Sequence, residues 1–179
     1  MSVITVSRQL GSLGTEIAWK LAAVLHYEFI DKEGIGKALA SYGIPEPDLE
    51  KFDEKKPPLW DCLQIQRRKF LHFIQGVIYD FARRGKVIIV GRGGQVLLRD
   101  LPGVMHLRII APFEVRIRRL REQSGGDEKQ ATRILRRSDR DSAGFIRSFF
   151  DVDWDEPALY DLVINTQKLS VETAVKLIL

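Results

Sequence analysis

Val87-Ile88-Ile89-Val90 is an uninterrupted run of β-branched residues near the middle of the chain. A run of this length with no polar alternation is typical of a parallel strand that is covered on both faces. A glycine-rich turn, residues 91–94, follows it directly. The run therefore predicts a layered fold in which helices pack on both sides of a parallel sheet.

The rest of the chain supplies the matching elements. Short apolar or β-branched runs predict further strands at 3–6, 28–31, 106–110 and 162–164. Apolar residues at helical spacing predict helices at 15–26, 32–42, 63–81, 112–122, 127–150 and 171–179, with Gly85 after the third and Ser170 as N-cap of the last. Because strands alternate with helices throughout, we expect one α/β domain, residues 1–179, with a three-layer parallel sheet.

Composition limits the setting in which the chain acts. Its 179 residues suffice for one hydrophobic core. No stretch approaches the ~18 apolar residues that a membrane-spanning helix needs. A single cysteine, Cys62, excludes an intrachain disulfide and a cysteine zinc cluster. The first residues carry no basic segment before the apolar stretch, which argues against a signal peptide. We therefore expect a cytoplasmic protein.

Positive charge is concentrated in one part of the chain. Residues 92–147 carry 13 basic and 7 acidic side chains, whereas residues 148–179 carry 2 basic and 6 acidic ones. A local basic surface on a chain with a net charge of only +4 indicates an anionic ligand, either phosphates or nucleic acid.

The turn after the first strand, residues 7–15, has some features of a phosphate site. Its glycines allow backbone N–H groups to converge on an anion at the start of the next helix. The P-loop pattern is glycine, four residues, glycine, lysine, then serine or threonine. With Thr15 in the last position, Gly14 stands at the lysine, Leu13 at the second glycine and Arg8 at the first. The sequence leaves two interpretations of this turn open: a purely structural connection and a phosphate-binding site. Our hypothesis is that Arg8 supplies the missing positive charge.

The helix at 127–150 has an unusual polar face. One face is apolar or small, and the roughly opposite face carries Arg133, Arg136, Arg137, Arg140 and Arg147 without a lysine. The apolar or small face consists of Ala131, Ile134, Leu135, Ser138, Ser142, Phe145, Ile146 and Phe149. Guanidinium groups bind phosphate oxygens bidentately, which favours a phosphate-binding role. A solvated basic face and a nucleic-acid surface are the alternatives, although no recognisable nucleic-acid module accompanies the helix.

Several motifs, taken in order, resemble the cytidylate kinase-like family. The opening 4–14, Ile-Thr-Val-Ser-Arg-Gln-Leu-Gly-Ser-Leu-Gly, resembles that family's I-S-R-Q-x-G-S-G-G. The turn at 91–94, the R-x-x-R helix around Arg116 and Arg119, the lid-like segment 137–142 and the final strand 159–166 follow in the same order. The resemblance is weakest over 43–61. It implies a P-loop NTPase-type fold with an arginine-rich helical lid, residues 116–147, and with 43–61 as a variable acceptor-side insertion.

The resemblance also implies roles for individual residues. It implies an ATP-dependent phosphotransferase acting on a nucleoside monophosphate or a similar phosphorylated small molecule, with ATP and Mg²⁺ as cofactors. The donor phosphates would contact Arg8, Gly11, Ser12, Gly14 and Thr15, with Ser12 or Thr15 as a Mg²⁺ ligand. The transferred group would face Arg116, Arg119, Arg137, Arg140 and Asp141, and the acceptor would face Asp31, Arg92 and Arg133.

Two departures from the true cytidylate kinases leave an alternative open. Those enzymes have a lysine where this chain has Gly14, and D-G-R-D where this chain has Val90-Gly91-Arg92-Gly93. A nucleotide-binding module or sensor without turnover is therefore the second hypothesis.

Overall fold

A computed structural model describes residues 3–41 and 64–179. Within these residues the sheet has five strands: β1 Val3–Arg8, β2 Glu28–Ile30, β3 Val87–Val90, β4 Val104–Ile110 and β5 Leu162–Asn165. Their order is β2-β3-β1-β4-β5, and every neighbouring pair is parallel. The register places Val6 of β1 beside Val90 of β3 and Leu107 of β4. The carboxyl ends of the three central strands therefore meet at one edge, where open parallel sheets bind ligands.

The helices of the described residues connect these strands. They are α1 Gly14–Leu25, α2 Lys32–Ser41, α3 Gln64–Arg84, α4 Gly94–Leu97, α5 Phe113–Ser124, α6 Glu128–Phe150 and α7 Val171–Ile178, with a short 3₁₀ helix at Pro157–Leu159. Asp127 caps α6 by accepting a hydrogen bond from Gln130 N at 2.6 Å, and Ser170 caps α7 through Thr173 N at 3.2 Å.

The two faces of the sheet carry separate hydrophobic cores. On one face Ile4, Val6 and Ile88 pack with α1 and α7. On the other, Val3, Val87 and Ile89 pack with α2, α3 and the last turns of α6. Ile88 and Ile89 are adjacent and both fully buried, which confirms that β3 is covered on both faces. A third, smaller cluster joins α5 to the first half of α6 and leaves that pair of helices with a core of its own.

The predicted fold class is confirmed: a parallel sheet lies between two layers of helices. Every predicted strand is present, and so is every predicted helix within the described residues. The sequence reading missed the four-residue α4 and the 3₁₀ helix, both too short for a periodic pattern. The segment 43–61 and Cys62 lie outside the described residues. Among the helices that are described, none combines the length and apolarity needed to cross a membrane.

Candidate functional site

A cavity of about 560 Å³ opens at the carboxyl ends of β1 and β3. Five parts of the chain line this main cavity: the loop from Arg8 to Glu16, Lys32 at the start of α2, the turn after β3, α5 with Arg119, and α6 with Ile134 and Arg137. Of the described residues that line it, five are cationic and two are acidic. The cations are Arg8, Lys32, Arg92, Arg119 and Arg137, and the acids are Glu16 and Asp141. The surplus of positive charge suits a polyanion.

The loop between β1 and α1 adopts a conformation that L-residues rarely occupy. Gly11 has φ 76° and Leu13, the residue just before α1, has φ 63°. A side chain at position 11 would press on the backbone of Arg116, so the loop lies directly against α5. The first N–H groups of a helix have no partners within it, and those of α1 begin at the loop. The loop therefore joins a positive helix end to a cavity of matching sign.

Arg8 extends from the end of β1 across the start of α1. Its Nε lies 3.5 Å from Thr15 Oγ1, and its Nη1 lies 3.3 Å from the position that a Cβ on Gly91 would occupy. Arg8 also lines a second, smaller pocket, here called the inner recess, together with Ser7, Arg92 and Gln95. Arg8 therefore contributes to the walls of both the main cavity and the inner recess.

The turn after β3 holds a buried arginine in a strained backbone conformation. Gly91, Arg92 and Gly93 all have positive φ, and that of Arg92 is 55°. Arg92 is only 6% exposed, and its guanidinium carbon lies 5.7 Å from the centre of the Phe145 ring. Left-handed non-glycine residues are costly and concentrate at functional sites. The conformation brings Arg92 to the boundary of the main cavity and the inner recess.

Arg119 is fixed by the last strand. Its guanidinium donates to Thr166 O at 2.7 Å, to Thr166 Oγ1 at 3.0 Å and to Gly11 O at 3.3 Å. Burial, together with the nearby charge of Arg118, lowers the pKa of Arg119 below its ordinary value. Arg119 therefore presents a positioned cation between β5 and the loop that joins β1 to α1.

Arg116, by contrast, does not line the main cavity. It is 3% exposed and donates two hydrogen bonds to Asp139 on α6, at 2.9 Å and 2.8 Å. A weaker contact at 3.4 Å reaches Leu10 O. The residue expected to face the transferred group instead connects α5, α6 and the loop through a buried ion pair.

The predicted arginine face of α6 is divided by the structure. Arg137 lines the main cavity and lies 3.5 Å from Asp141 Oδ2, one turn along the helix. The outer arginines, Arg133 and Arg140, are exposed and are not among its lining residues. Ile134, which we expected on the buried face, is 40% exposed and lines the cavity instead.

The remaining predicted site residues have visible structural roles. Asp31 Oδ1 accepts hydrogen bonds from Glu33 N at 3.0 Å and Gly34 N at 3.1 Å, so it caps α2. Its neighbour Lys32 lines the main cavity. Ser12 is fully buried, and its Oγ has no hydrogen-bond partner among the described residues.

Oxygen donors decide whether a divalent cation fits here. Mg²⁺ typically takes one or two protein oxygens and leaves its other positions to phosphates and water. Thr15 Oγ1 lies on the cavity wall, beside Glu16, and fits such a role. Ser12 does not, because its hydroxyl is buried beneath the loop and away from the cavity lining. No cluster of three or more acidic, histidine or cysteine ligands occurs among the described residues.

One buried network near the site was not anticipated. Arg108 Nη1 donates to Ser7 Oγ at 2.8 Å, Trp154 Nε1 donates to the same oxygen at 2.9 Å, and Tyr160 Oη lies 3.4 Å from it. Arg108 also stacks 3.7 Å from the centre of the Trp154 ring and pairs with Asp155. The signal in the sequence is Arg108 itself, a charged residue inside an apolar strand.

A family model described as the cytidylate kinase-like family matches residues 3–168. Among curated proteins, the cytidylate kinase of Pyrobaculum islandicum is 25% identical over 99% of this chain and 90% of its own length. That of Methanosarcina barkeri is 26% identical over 92% of this chain and 87% of its own length. The cytidylate kinase of Haloarcula marismortui is 28% identical over 93% of this chain and 81% of its own length.

Solved structures share the fold at lower identity. An uncharacterized protein from Eubacterium ventriosum superposes with a TM-score of 0.77 at 21% identity, covering 99% of this chain and 96% of that one. A gluconokinase from Sinorhizobium meliloti superposes with a TM-score of 0.59 at 15% identity, covering 98% of this chain and 87% of that one. A shikimate kinase from Bacteroides thetaiotaomicron superposes with a TM-score of 0.56 at 14% identity, covering 99% of this chain and 95% of that one. These similarities show that the chain shares the fold of these proteins.

Proposed function

The chain belongs to the cytidylate kinase-like family, and from that premise we propose that it transfers the γ-phosphoryl group of ATP to a nucleoside monophosphate or a similar phosphorylated small molecule. Family membership supports a kinase-like phosphotransferase, and the donor and acceptor are our proposal. The observation that carries it is the main cavity, where cationic side chains from five parts of the chain converge beside the first turn of α1. Few ligands other than a polyphosphate combine that charge with that size.

The donor phosphates would lie over the loop at 11–15. The amides at the start of α1 would donate to phosphate oxygens, and Arg119 would contribute a fixed positive charge from the side of β5. Thr15 would hold Mg²⁺, which when bound would neutralise charge on the β- and γ-phosphates. Thr15 Oγ1 also lies within reach of Arg8 Nε, so the two groups would be arranged around the same phosphates.

The acceptor would lie on the side of Arg92. This arginine is buried and held by the turn after β3, so it can bind an acceptor phosphate without a large loss of side-chain freedom. We propose that Asp31 acts indirectly, because it caps α2 and so positions Lys32 at the cavity. Arg133 and Arg140 are exposed on α6, so a direct role for either would require the helix to move.

Residues 116–147 would act as the lid of a single nucleotide-kinase-like domain. The third hydrophobic cluster and the Arg116–Asp139 pair join α5 to the first half of α6, and Arg119 ties α5 to Thr166 and to Gly11. Arg137 would therefore meet the transferring phosphoryl group from a lid that is already held against the loop, while Asp141 would orient the Arg137 guanidinium.

The chemistry needs little beyond this positioning. An acceptor oxygen forms a bond to the γ-phosphorus while the bond from that phosphorus to the β–γ bridging oxygen breaks, and ADP leaves with the electron pair. A phosphate oxygen of the acceptor is already ionised, so no general base is required. Arginine side chains offset the negative charge that spreads over the equatorial oxygens during transfer.

Gly14 favours one competing function, that of a nucleotide-binding module without turnover. The lysine that usually reaches the β- and γ-phosphates is absent at this position, and binding by backbone amides alone would survive its loss. The module predicts tight ATP binding with no product, whereas the enzyme predicts ADP formation that depends on the acceptor.

The deciding experiment is a phosphotransfer assay with ATP, Mg²⁺ and a panel of nucleoside monophosphates that includes CMP. We expect acceptor-dependent ADP and a matching nucleoside diphosphate. Arg137→Ala should lower kcat by about 10²-fold or more, as for loss of a transition-state contact, and leave the melting temperature unchanged. Arg147→Ala, an exposed arginine on the same helix, is the matched control. ATP binding without any diphosphate across the panel would refute the transferase and support the module.

A further inference from the structure

Gly14 occupies the position of the P-loop lysine, and its surroundings exclude any side chain. A Cβ at position 14 would overlap the Cβ of Arg8 and would lie 3.0 Å from Arg8 Cγ. It would also lie 3.2 Å from the Cβ of Ile109. The space where a lysine side chain would begin is therefore filled by the stem of Arg8. An arginine at position 8 and a lysine at position 14 are sterically incompatible in this backbone.

A second glycine makes room for the other end of the same side chain. A Cβ at position 91 would lie 3.3 Å from Arg8 Nη1, closer than ordinary van der Waals contact. Between these two points, the Nε of Arg8 approaches Thr15 Oγ1 at 3.5 Å. Arg8 thus follows one path from the end of β1 to the turn after β3, and a glycine lies at each end of that path.

The path ends where the two substrates would meet. Arg8 and Arg92 line both the main cavity, on the side of α1, and the inner recess, on the side of the turn after β3. Arg119 approaches only from the side of β5, and Arg137 is carried on α6. Among these cations, Arg8 alone is held by a central strand next to the phosphate loop. A charge at this point can contact a phosphoryl group before and after its transfer.

We propose that Arg8 replaces the P-loop lysine as the cation that contacts the transferred phosphoryl group, and that position 14 is a glycine because the stem of Arg8 fills the space of a side chain there. This inference rests on the proposed function, since it assigns a residue to the same reaction. Arg8 reaches the phosphates from the first position of the loop, whereas a lysine would reach them from the seventh. Compared with the usual P-loop pattern, the glycine and the cation have therefore exchanged places between positions 8 and 14.

The steric part is tested without any ligand, by a double-mutant cycle in melting temperature. Gly14→Ala should lower the melting temperature of the otherwise unchanged protein by about 5 °C or more, because of the overlap with Arg8. In an Arg8→Gly background the same substitution should cost less than about 2 °C, since only the tight contact with Ile109 remains and alanine is the better helix former. Equal losses in both backgrounds would overturn the steric exclusion.

The chemical part is tested by binding of ATP, inorganic tripolyphosphate and adenosine, measured by calorimetry. Arg8→Met keeps an unbranched stem and removes the guanidinium group with its charge. It should weaken ATP and tripolyphosphate at least about tenfold, as expected for loss of a charge-assisted hydrogen bond, and leave adenosine unchanged. Arg8→Gly with Gly14→Lys, which rebuilds the usual arrangement, should recover most of the lost affinity. Arg99→Met, an exposed arginine away from the cavity, is the control.

The outcomes separate this inference from the proposed function. A wild-type protein that binds neither ATP nor tripolyphosphate would overturn both. A wild-type protein that binds ATP and transfers its phosphoryl group, together with an Arg8→Met variant that binds equally well, would overturn the role of Arg8 alone. Recovery of affinity by Gly14→Lys in the Arg8→Met background would also contradict it, because the stem of residue 8 and a lysine at position 14 are then compatible.

Discussion

Ser7 is one hydroxyl group on which two buried side chains depend. The hydroxyl oxygen of Ser7 accepts one hydrogen bond from Arg108 and one from Trp154. These two bonds occupy both lone pairs of the oxygen. We expect Ser7→Ala to lower the free energy of unfolding by about 1–3 kcal/mol, because two buried donors, one of them charged, lose their acceptor. Urea unfolding measures this change. Ser124→Ala, at an exposed helix end, should shift it by less than about 0.5 kcal/mol. A loss at Ser7 no larger than at Ser124 would contradict the network.

His106 gives the stability a dependence on pH. Its Nδ1 lies 2.7 Å from Thr5 Oγ1, its backbone N–H donates to Asp161, and burial lowers its pKa below 6.5 although the charge of Asp161 opposes the shift. The unfolded chain therefore takes up a proton first as the pH falls. Stability that is present above pH 6.5 should be lost on acidification towards the lowered pKa.

The test is urea unfolding between pH 7.5 and about pH 5, compared with His106→Gln. In the wild type, His106 should lower the free energy of unfolding by at most about 1.4 kcal/mol for each pH unit of acidification. The His106→Gln variant should lack this contribution to the pH dependence. Parallel curves for the two proteins would show that His106 titrates alike in the folded and unfolded chains.

At the level of single residues, the sequence predicted which arginines line the cavity better than it predicted their contacts. Arg8, Arg92, Arg119 and Arg137 were expected at the site and do line the main cavity. Arg116 was also expected there, but its pairing with Asp139 depends on how two helices cross, which spacing along one helix cannot reveal. The contacts of Ser7 join positions about 100 or more residues apart, and no local pattern encodes them.

Among the elements, α5 and α6 depend on one buried ion pair. Arg116 is 3% exposed, so removing its partner leaves a buried charge without compensation. We expect Asp139→Ala to reduce the free energy of unfolding by about 3 kcal/mol. Arg116→Met combined with Asp139→Ala should recover part of that loss, because the charge is then absent. A double variant less stable than Asp139→Ala alone, measured by urea unfolding, would contradict this account.

Elements with strong local patterns were predicted well for a physical reason. A strand buried on both faces must be apolar throughout, and β3 is; a helix that covers a sheet must carry an apolar stripe, and α1 and α7 do. The inner half of α6 follows the same rule, since Phe145, Ile146 and Phe149 are buried. Ile134 departs from it because the outer half of the helix borders a cavity instead of the core.

Across the whole molecule, ion pairs inside the fold neutralise part of the basic excess. Residues 92–147 carry the basic excess of the chain, yet Arg108 pairs with Asp155 and Arg116 with Asp139. Asp155 of the last segment and Asp139 of the basic segment itself thus offset part of the excess inside the fold. The cations around the main cavity come from five parts of the chain and meet because the parallel strands end at one edge. The fold itself therefore concentrates positive charge at the site.

Because positive charge is concentrated at the cavity, we expect the salt dependence of polyphosphate binding to arise from the cavity side chains and not from the net charge of the protein. Raising NaCl from 50 to 500 mM should weaken tripolyphosphate binding by about tenfold or more, because the attraction is largely electrostatic and is screened. Arg137→Ala should reduce both the affinity at low salt and the steepness of the salt dependence, since one cavity charge is gone. Arg147→Ala removes the same charge from an exposed site outside the lining and should change neither by more than about twofold. Equal effects of the two substitutions, measured by calorimetric titration across the salt series, would mean that total charge governs binding and that the cavity has no special role.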